Sequence, residues 1–284
     1  MKKNPFAPVL LAAASAASAD GIYWQHIDPD PVPYVYAGSY SEDVEFGDYG
    51  KTDVVEAQVD LRFRPIEDFL WGDLSLGLGA HAFGFIDKPG MEAVPHALLD
   101  SFVEAAYALR FDNGWAWRVW ARPGVYSDPV NPAFGCPAGL SLYFAATDAF
   151  SVQIGAAVRA GWDIPVVPEV GIKYRPSDLL ELELGCPSSR LVLFPDHILS
   201  FFAAGEWRNV TYALDDDDES MPDKLTMDDV SVSAGASLRI LGTFVLSGEF
   251  GTFLERELSA DVETDHAVKL SKEPFVRVSL SGVF

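Results

Sequence analysis

Val55-Glu56-Ala57-Gln58-Val59-Asp60-Leu61-Arg62-Phe63-Arg64 alternates apolar and polar residues without a break. Successive side chains of a β-strand point to opposite faces, so this segment presents grease on one side and charge on the other. The same dyad runs through Phe150, Val152, Ile154, Ala156, Val158, Ala160 and Trp162 against Ser151, Gln153, Gly155, Arg159 and Asp163. It returns in Val230, Val232, Ala234, Ala236, Leu238 and Ile240 against Ser231, Ser233, Gly235, Ser237 and Arg239. A shorter copy sets Val166, Val170, Ile172 and Tyr174 against Glu169, Lys173 and Arg175.

Hydrophobic residues make up 49% of the 284-residue chain, and mean hydropathy is +0.11. After the first twenty residues no apolar run approaches the ~18 residues that a spanning helix needs. A chain of this kind crosses a membrane as strands, and every backbone N–H and C=O in lipid must be paired, which leaves a closed barrel. A soluble sandwich also alternates, so the connections must discriminate.

Those connections are asymmetric. Tight turns are expected at Phe63–Phe69, Phe111-Asp112-Asn113-Gly114-Trp115, Phe144–Phe150, Tyr174–Leu179, Phe194–Ile198 and Leu241-Gly242. Pro presets φ, Asp bonds its own turn backbone, Asn-Gly favours a hairpin, and the flanking aromatics suit a headgroup-level girdle. Between them run longer polar stretches: 41–52, 85–99, 127–137, 215–229 and 258–271. Two connections on that long-loop side are short, near Asp163–Pro165 and Pro187–Ser189, so this sector of the wall is expected to be low. The fold class is therefore all-β, an antiparallel transmembrane β-barrel of about fourteen strands, or twelve if the 178–194 hairpin is not formed. The expected spans are 32–40, 53–64, 69–84, 100–111, 115–127, 138–146, 150–162, 166–175, 178–186, 188–194, 198–212, 229–240, 243–257 and 272–284.

The amino terminus reads as a signal peptide: Lys2 and Lys3, an apolar stretch from Phe6 to Ala14, then Ala17-Ser18-Ala19 before Asp20. Residues 1–19 are assigned to it, 20–31 to a periplasmic lead-in, and 32–284 to the barrel. The formal charge is −22, and −24 without the two leader lysines. Such a chain repels phosphate backbones, which argues against nucleic acid. The exported compartment permits a disulfide between Cys136 and Cys186, which share a Gly-Cys-Pro context, but two separate thiols on non-adjacent strands are the favoured reading.

The last strand completes the picture. Val276, Val278, Leu280, Gly282 and Phe284 alternate with Arg277, Ser279 and Ser281, and the chain ends on an aromatic. This resembles the terminal strand by which outer-membrane barrels are recognised by their assembly machinery, with Gly282 where a larger apolar residue is usual. Val276, Val278, Leu280 and Phe284 carry that insertion signal. In length and strand count the chain is similar to small monomeric fourteen-stranded porins of Gram-negative outer membranes. That resemblance implies an outer-membrane location reached through the periplasm, contact with lipid and lipopolysaccharide, and small solutes as cargo.

Parity assigns Glu56, Asp60, Arg62, Arg64, Glu104, Arg110, Arg118, Arg122, Arg159 and Glu169 to the lumen, followed by Lys173, Arg175, Glu181, Glu183, Arg208, Arg239, Glu249, Glu255 and Arg277. Opposed charges can set a transverse field in a water-filled pore or pair across a closed interior. Arg118 and Arg122 are the candidates for a basic ladder; Glu181 and Glu183 beside Glu169 for an acidic one. The acidic run Asp215–Glu219, followed by Asp223, Asp228 and Asp229, reads as a solvated outer loop; it lacks the spacing of an EF-hand, and its sharper reading is loose divalent bridging to lipopolysaccharide. No metal or cofactor site is expected. For catalysis only His81, with lumen parity, is a candidate base; His26, His96, His197 and His266 fall outside the strands, and no Gly-x-Ser-x-Gly, HExxH or CxxC pattern accompanies them. A passive channel or structural barrel is the expected function; the alternatives are a barrel-borne lipid or peptide hydrolase and a surface-loop adhesin.

Overall fold

The computed structural model describes residues 33–45, 51–86, 95–111, 113–127, 129, 132–195, 197–214, 224–240, 244–260, 267–269 and 273–283. The expected leader, the lead-in, the acidic run from Asp215 to Asp223, and Phe284 lie outside them. Among the described residues none is helical.

The strands are β1 (Pro33–Glu45), β2 (Lys51–Phe69), β3 (Gly72–Ile86), β4 (Ala97–Arg110) and β5 (Trp115–Ala121, resuming at Gly124–Ser127). Next come β6 (Phe134–Gly135 and Ala138–Thr147), β7 (Phe150–Val158), β8 (Val166–Ser177), β9 (Leu180–Cys186) and β10 (Ser188–Leu193). The last four are β11 (Leu199–Ala213), β12 (Lys224–Ile240), β13 (Phe244–Ala260) and β14 (Ala267–Lys269 and Pro274–Val283). Each pairs antiparallel with the next, and β1 pairs with β14 from Pro33↔Val283 to Tyr40↔Val276. The sheet is thus a closed, fourteen-stranded antiparallel barrel, including the 178–194 hairpin.

Parity decides which solvent each residue meets. On β7, Ile154 is 63% exposed while its neighbour Gln153 is buried; on β13, Phe250 is 62% exposed while Glu249 pairs with Arg277. Large apolar side chains therefore face outward around the wall, the reverse of a soluble protein and the arrangement a hydrocarbon solvent requires. At the short-turn end an aromatic girdle gathers Trp71, Phe111, Trp115, Phe150, Tyr174 and Phe194.

Two turns fall later than expected. β2 continues through Pro65 to Phe69, with register shifts between Phe63 and Ile66 and again between Ile66 and Phe69, so the turn is Leu70-Trp71. β8 likewise carries Pro176 at a shift between Tyr174 and Ser177. A proline has no N–H for the ladder, and a bulge is where that loss is tolerated. The Asn113-Gly114 hairpin stands where expected, with Gly114 at φ 82°. On the opposite side the strands outrun the expected loops: β3 reaches Ile86, β4 starts at Ala97, β12 starts at Lys224 and β13 reaches Ala260.

The low sector has sharp limits. The top of β10 is Ser188, opposite Glu206, whereas β11 runs on to Ala213. At the other side β5 rises to Ser127. Each limit is a Gly-Cys-Pro corner: Arg122 N–H donates to Pro137 O at 2.7 Å, and Trp207 N–H to Pro187 O at 2.8 Å. Above the low wall the tall strands meet through one parallel bridge, Ala213↔Ser127. The β7–β8 connection leans on the free edge of β11: Arg159 Nη1 donates to Asn209 O at 2.5 Å and Asp163 N–H to Thr211 Oγ1 at 3.2 Å. Cys136 is exposed, Cys186 half-buried, and both are free thiols.

Closure between β1 and β14 is directly testable. In a Cys136→Ser, Cys186→Ser background, Gly38→Cys and Val278→Cys occupy directly opposed positions and are expected to form a disulfide on mild oxidation, seen as a reductant-reversible mobility shift of the denatured chain. Free thiols in the folded protein would mean an open sheet.

Candidate functional site in the barrel interior

Ion clusters tie the wall together from inside. Glu56 on β2 binds Arg208 of β11 at 3.2 Å and Arg256 of β13 at 3.0 Å; both arginines also hold Asp229 of β12, Arg256 through Nε at 3.2 Å. Glu104 on β4 receives Arg118 at 2.8 Å and Arg122 at 2.6 Å from β5. His81 on β3 stands between two carboxylates, Asp100 at 3.2 Å from Nδ1 and Asp60 at 3.5 Å from Nε2. Arg277 on β14 reaches Glu249 at 2.9 Å and Glu206 at 3.6 Å. Removed from bulk water, a charge is tolerated only when paired, and removing one partner leaves the other stranded.

The two proposed ladders resolve into pairs. Arg118 and Arg122 clamp one carboxylate, so they do not form a free basic ladder. Glu181 and Glu183 flank Lys173 at 3.5 and 3.1 Å rather than continuing to Glu169, which is buried and accepts from Ser141 Oγ; Arg175 stands 3.8 Å from Glu181. Arg110 pairs with Asp73 at 3.1 Å. Arg239 is exposed at the short-turn end, donating to Pro195 O at 3.4 Å, Arg62 is half-buried, and the Arg64 side chain lies outside the described residues. On β14, Val276 and Leu280 are exposed and Val278 is half-buried.

Simple parity misplaced one residue and missed others. A bulge on β13 pairs Val230 with Glu255 but Ser231 with Phe253, so Glu255 turns to the exposed side and Arg256, 3% exposed, points inward. The signal was in the sequence: Phe253-Leu254 puts two large apolar residues side by side, which breaks a period of two. Asp229, expected in a loop with Asp228, is a buried strand residue instead. Asp100 and Arg190 were not assigned to the interior, and pairing partners such as Glu56 and Arg256 are 200 residues apart.

Aromatic rings lie flat on the wall over inward glycines. The directly paired residues are Gly79 with Phe102, Gly139 with Trp120, Gly235 with Phe202 and Gly251 with Phe275. A Cβ on any of these glycines would come within 2.6 Å of the opposing ring. Each ring in turn carries a guanidinium: Arg122 lies 5.1 Å from Phe102 and 4.9 Å from Trp120, Arg190 4.5 Å from Phe202, and Arg277 5.0 Å from Phe275. The glycine removes the side chain that would push the ring into the lumen, and the ring holds the cation by its quadrupole.

These layers divide the interior. At the long-loop end the inward residues are apolar: Val54, Phe83, Phe85, Leu98, Val210, Tyr212, Leu225, Met227 and Leu258 pack into one buried cluster, joined by Trp162 and Leu214. At the other end the lining is small, as in Ser237 and Ser247, which bond each other at 2.8 Å. Between them lies a cavity of about 60 Å³, bordered by Gln58, His81, Asp100, Phe102, Trp120, Arg122, Tyr126, Arg159, Trp162, Glu169, Glu206 and Arg208. His81 has both ring nitrogens turned to carboxylates. Among the described residues no group of three His, Cys, Asp or Glu is arranged to hold a metal.

No protein-family model matches the chain, and no curated protein sequence matches it. Solved structures do. The toluene transporter TodX of Pseudomonas putida superposes with a TM-score of 0.52 over 95% of each chain at 9% identity. A TodX deletion mutant described as a monoaromatic hydrocarbon channel gives 0.53 over 96% of each chain, also at 9% identity. The chain has the fold of an outer-membrane channel barrel. At that identity the likeness concerns the fold, and the interior must be read from its own residues.

Two comparisons check that reading. Arg256→Ala is expected to destabilise the barrel by about 3–5 kcal/mol in denaturant unfolding from detergent or lipid, because Glu56 and Asp229 lose a buried partner; Glu255→Ala, one residue away, should stay within about 0.5 kcal/mol. Gly235→Ala should cost about 1–3 kcal/mol by overpacking, since its Cβ would meet Phe202 at 2.6 Å, whereas Gly248→Ala meets nothing within 4 Å and should be neutral or slightly stabilising by that same measurement.

Proposed function

We propose that this protein is a passive outer-membrane channel for small solutes. The observation that carries the reading is the mid-barrel cavity, walled by side chains from β2, β3 and β4 on one side and β11 on the other, inside a barrel whose outward faces are apolar. A closed scaffold has no need of a polar void; a conduit does. The apolar cluster on one side of that void and the paired charges around it favour small solutes of low net charge, because a free ion would lose hydration without gaining an unpaired counter-charge. TodX, a barrel of the same fold, is described as a monoaromatic hydrocarbon channel, which agrees with a narrow, weakly polar conduit.

The remaining relationships follow from the same reading. The signal peptide would route the chain to the periplasm, the terminal strand ending in Phe284 would engage the barrel-assembly machinery, and the apolar belt and acidic outer loop would meet lipid and lipopolysaccharide.

Reconstitution into planar bilayers and proteoliposomes tests the channel. Small unitary steps and uptake of small uncharged solutes are expected, and the double variant Phe83→Ala, Tyr212→Ala should raise both by thinning the apolar cluster. Complete silence of the wild type and of that variant, in protein shown to be folded, would reduce the barrel to a scaffold.

A further inference from the structure

The cavity can be left along the barrel axis or over the low wall, and the two ways are closed differently. Along the axis stands the apolar cluster, whose Val54, Phe83, Leu98, Tyr212, Leu225 and Met227 are fully buried and fixed on five strands, β2, β3, β4, β11 and β12. Over the low wall stands the β7–β8 connection, residues 159–165. Among the described residues, the edge of β11 has no strand beside it between Trp207, bonded to the Pro187 corner, and Ala213, bridged to Ser127. The connection crosses that gap as a strap. Hydrogen bonds fasten it to β11, from Arg159 Nη1 to Asn209 O and from the Asp163 N–H to Thr211 Oγ1. It also closes on itself, Arg159 N–H donating to Pro165 O at 2.8 Å and Trp162 N–H to Arg159 O at 3.2 Å. Trp162 turns its ring inward, 5.3 Å from that of Tyr126 and 4.8 Å from the Arg159 guanidinium. The tip beside it, Gly161 at φ 83°, is exposed, and a Cβ there would meet nothing within 4 Å. The cavity lies directly behind: Pro137 and Pro187 of the corners, Ala157 and Val167 at the top of the wall, and Arg159 and Trp162 of the strap all border it. A short connection held at an edge by side-chain bonds opens at lower free energy than a cluster locked into paired strands.

We propose that the β7–β8 connection is the gate of the channel. Solute passes between the cavity and the outside over the low wall when the strap lifts from β11 and draws Trp162 out, while the apolar cluster keeps the axis shut. The inference rests on the channel reading and assigns its moving part. Trp162 is the stopper, because its ring borders the cavity from the strap itself. Lifting breaks the strap's bonds to Asn209 O and Thr211 Oγ1, and Thr211 keeps a partner in Thr226 Oγ1, 2.9 Å away. The two tall neighbours, β5 and β11, stay joined by their bridge, so the opening needs no strand to leave the barrel.

The test locks the strap. In a Cys136→Ser, Cys186→Ser background of the full-length protein, Asp163→Cys and Thr211→Cys are joined by oxidation or by a short bis-thiol linker. Unitary conductance in planar bilayers and swelling of proteoliposomes in erythritol are then compared before and after locking, with reductant releasing the disulfide. Locking is expected to lower both by about tenfold, as closing a lid does, with recovery on reduction. A control disulfide between Ala203→Cys and Ala234→Cys, opposed on β11 and β12, should leave both unchanged. Trp162→Ala without a crosslink should raise both several-fold. Adding Phe83→Ala, Tyr212→Ala to the locked protein opens the axis instead and should restore conductance; a locked barrel that stays silent even then would overturn the gate. So would conductance that neither the lock nor Trp162→Ala alters, an outcome that leaves the channel standing with its path along the axis. Heat-modifiable gel mobility verifies that each variant is folded, and if the crosslinked pair does not form, Trp162→Ala decides. Silence of every folded form would remove the channel reading and the gate with it.

Discussion

Every feature of this barrel follows from the fact that a strand edge cannot be left unpaired in hydrocarbon. The pairing of β1 with β14 removes the last two edges, and once the sheet is closed a period-two sequence has two different solvents, lipid outside and a confined interior inside. The outward half of the code is then simple, because any large apolar residue satisfies it. The inward half is demanding, because there polar groups are shielded from bulk water and must find each other.

The interior answers that demand in two ways. Carboxylates are shared: Glu104 takes two arginines from one strand, and Glu56 and Asp229 take two arginines from strands on either side of β12. Guanidiniums that would otherwise sweep the lumen are laid on rings, and the rings are laid on glycines. The stack of Gly235, Phe202 and Arg190 spans three adjacent strands, β12, β11 and β10. A lumen built this way stays narrow but keeps fixed walls, so its void is a property of the packing and not of wandering side chains.

Much of this was legible in the sequence, for a physical reason. Closure and strand number depend on local alternation and on turn chemistry, which is written residue by residue, and the Asn113-Gly114 hairpin and the low sector after Asp163 fell where the sequence placed them. Legibility failed wherever one residue was inserted into a ladder. Pro65 and Pro176 looked like turn markers and are bulge residues; Leu254 inverted the parity after it, exchanging Glu255 for Arg256. It failed also for partnership, since nothing local tells Glu56 that its counter-ions are Arg208 and Arg256. Strand ends near the long loops were cut short because charge there, as at Asp229, reads as solvent exposure when it is in fact an interior ion pair.

The position of the cavity has its own cause. Below the two Gly-Cys-Pro corners the wall has all fourteen strands; above them β7 to β10 drop out, β6 follows β5 only as far as Phe134, and at the top β5 and β11 meet through the Ala213↔Ser127 bridge. A ring of nine strands is narrower than one of fourteen, and its interior is closed by the apolar cluster of Phe83, Tyr212 and their neighbours. Two circumferences that share β5 and β11 cannot be filled by one continuous packing, and the mismatch leaves a void at their seam. Trp120, Arg122 and Tyr126 from β5 and its break, and Glu206, Arg208 and Val210 from β11, are the residues common to both rings, and all six border the cavity. The low wall, set by two short connections, therefore creates the space, and the strands that bridge the two rings supply its chemistry.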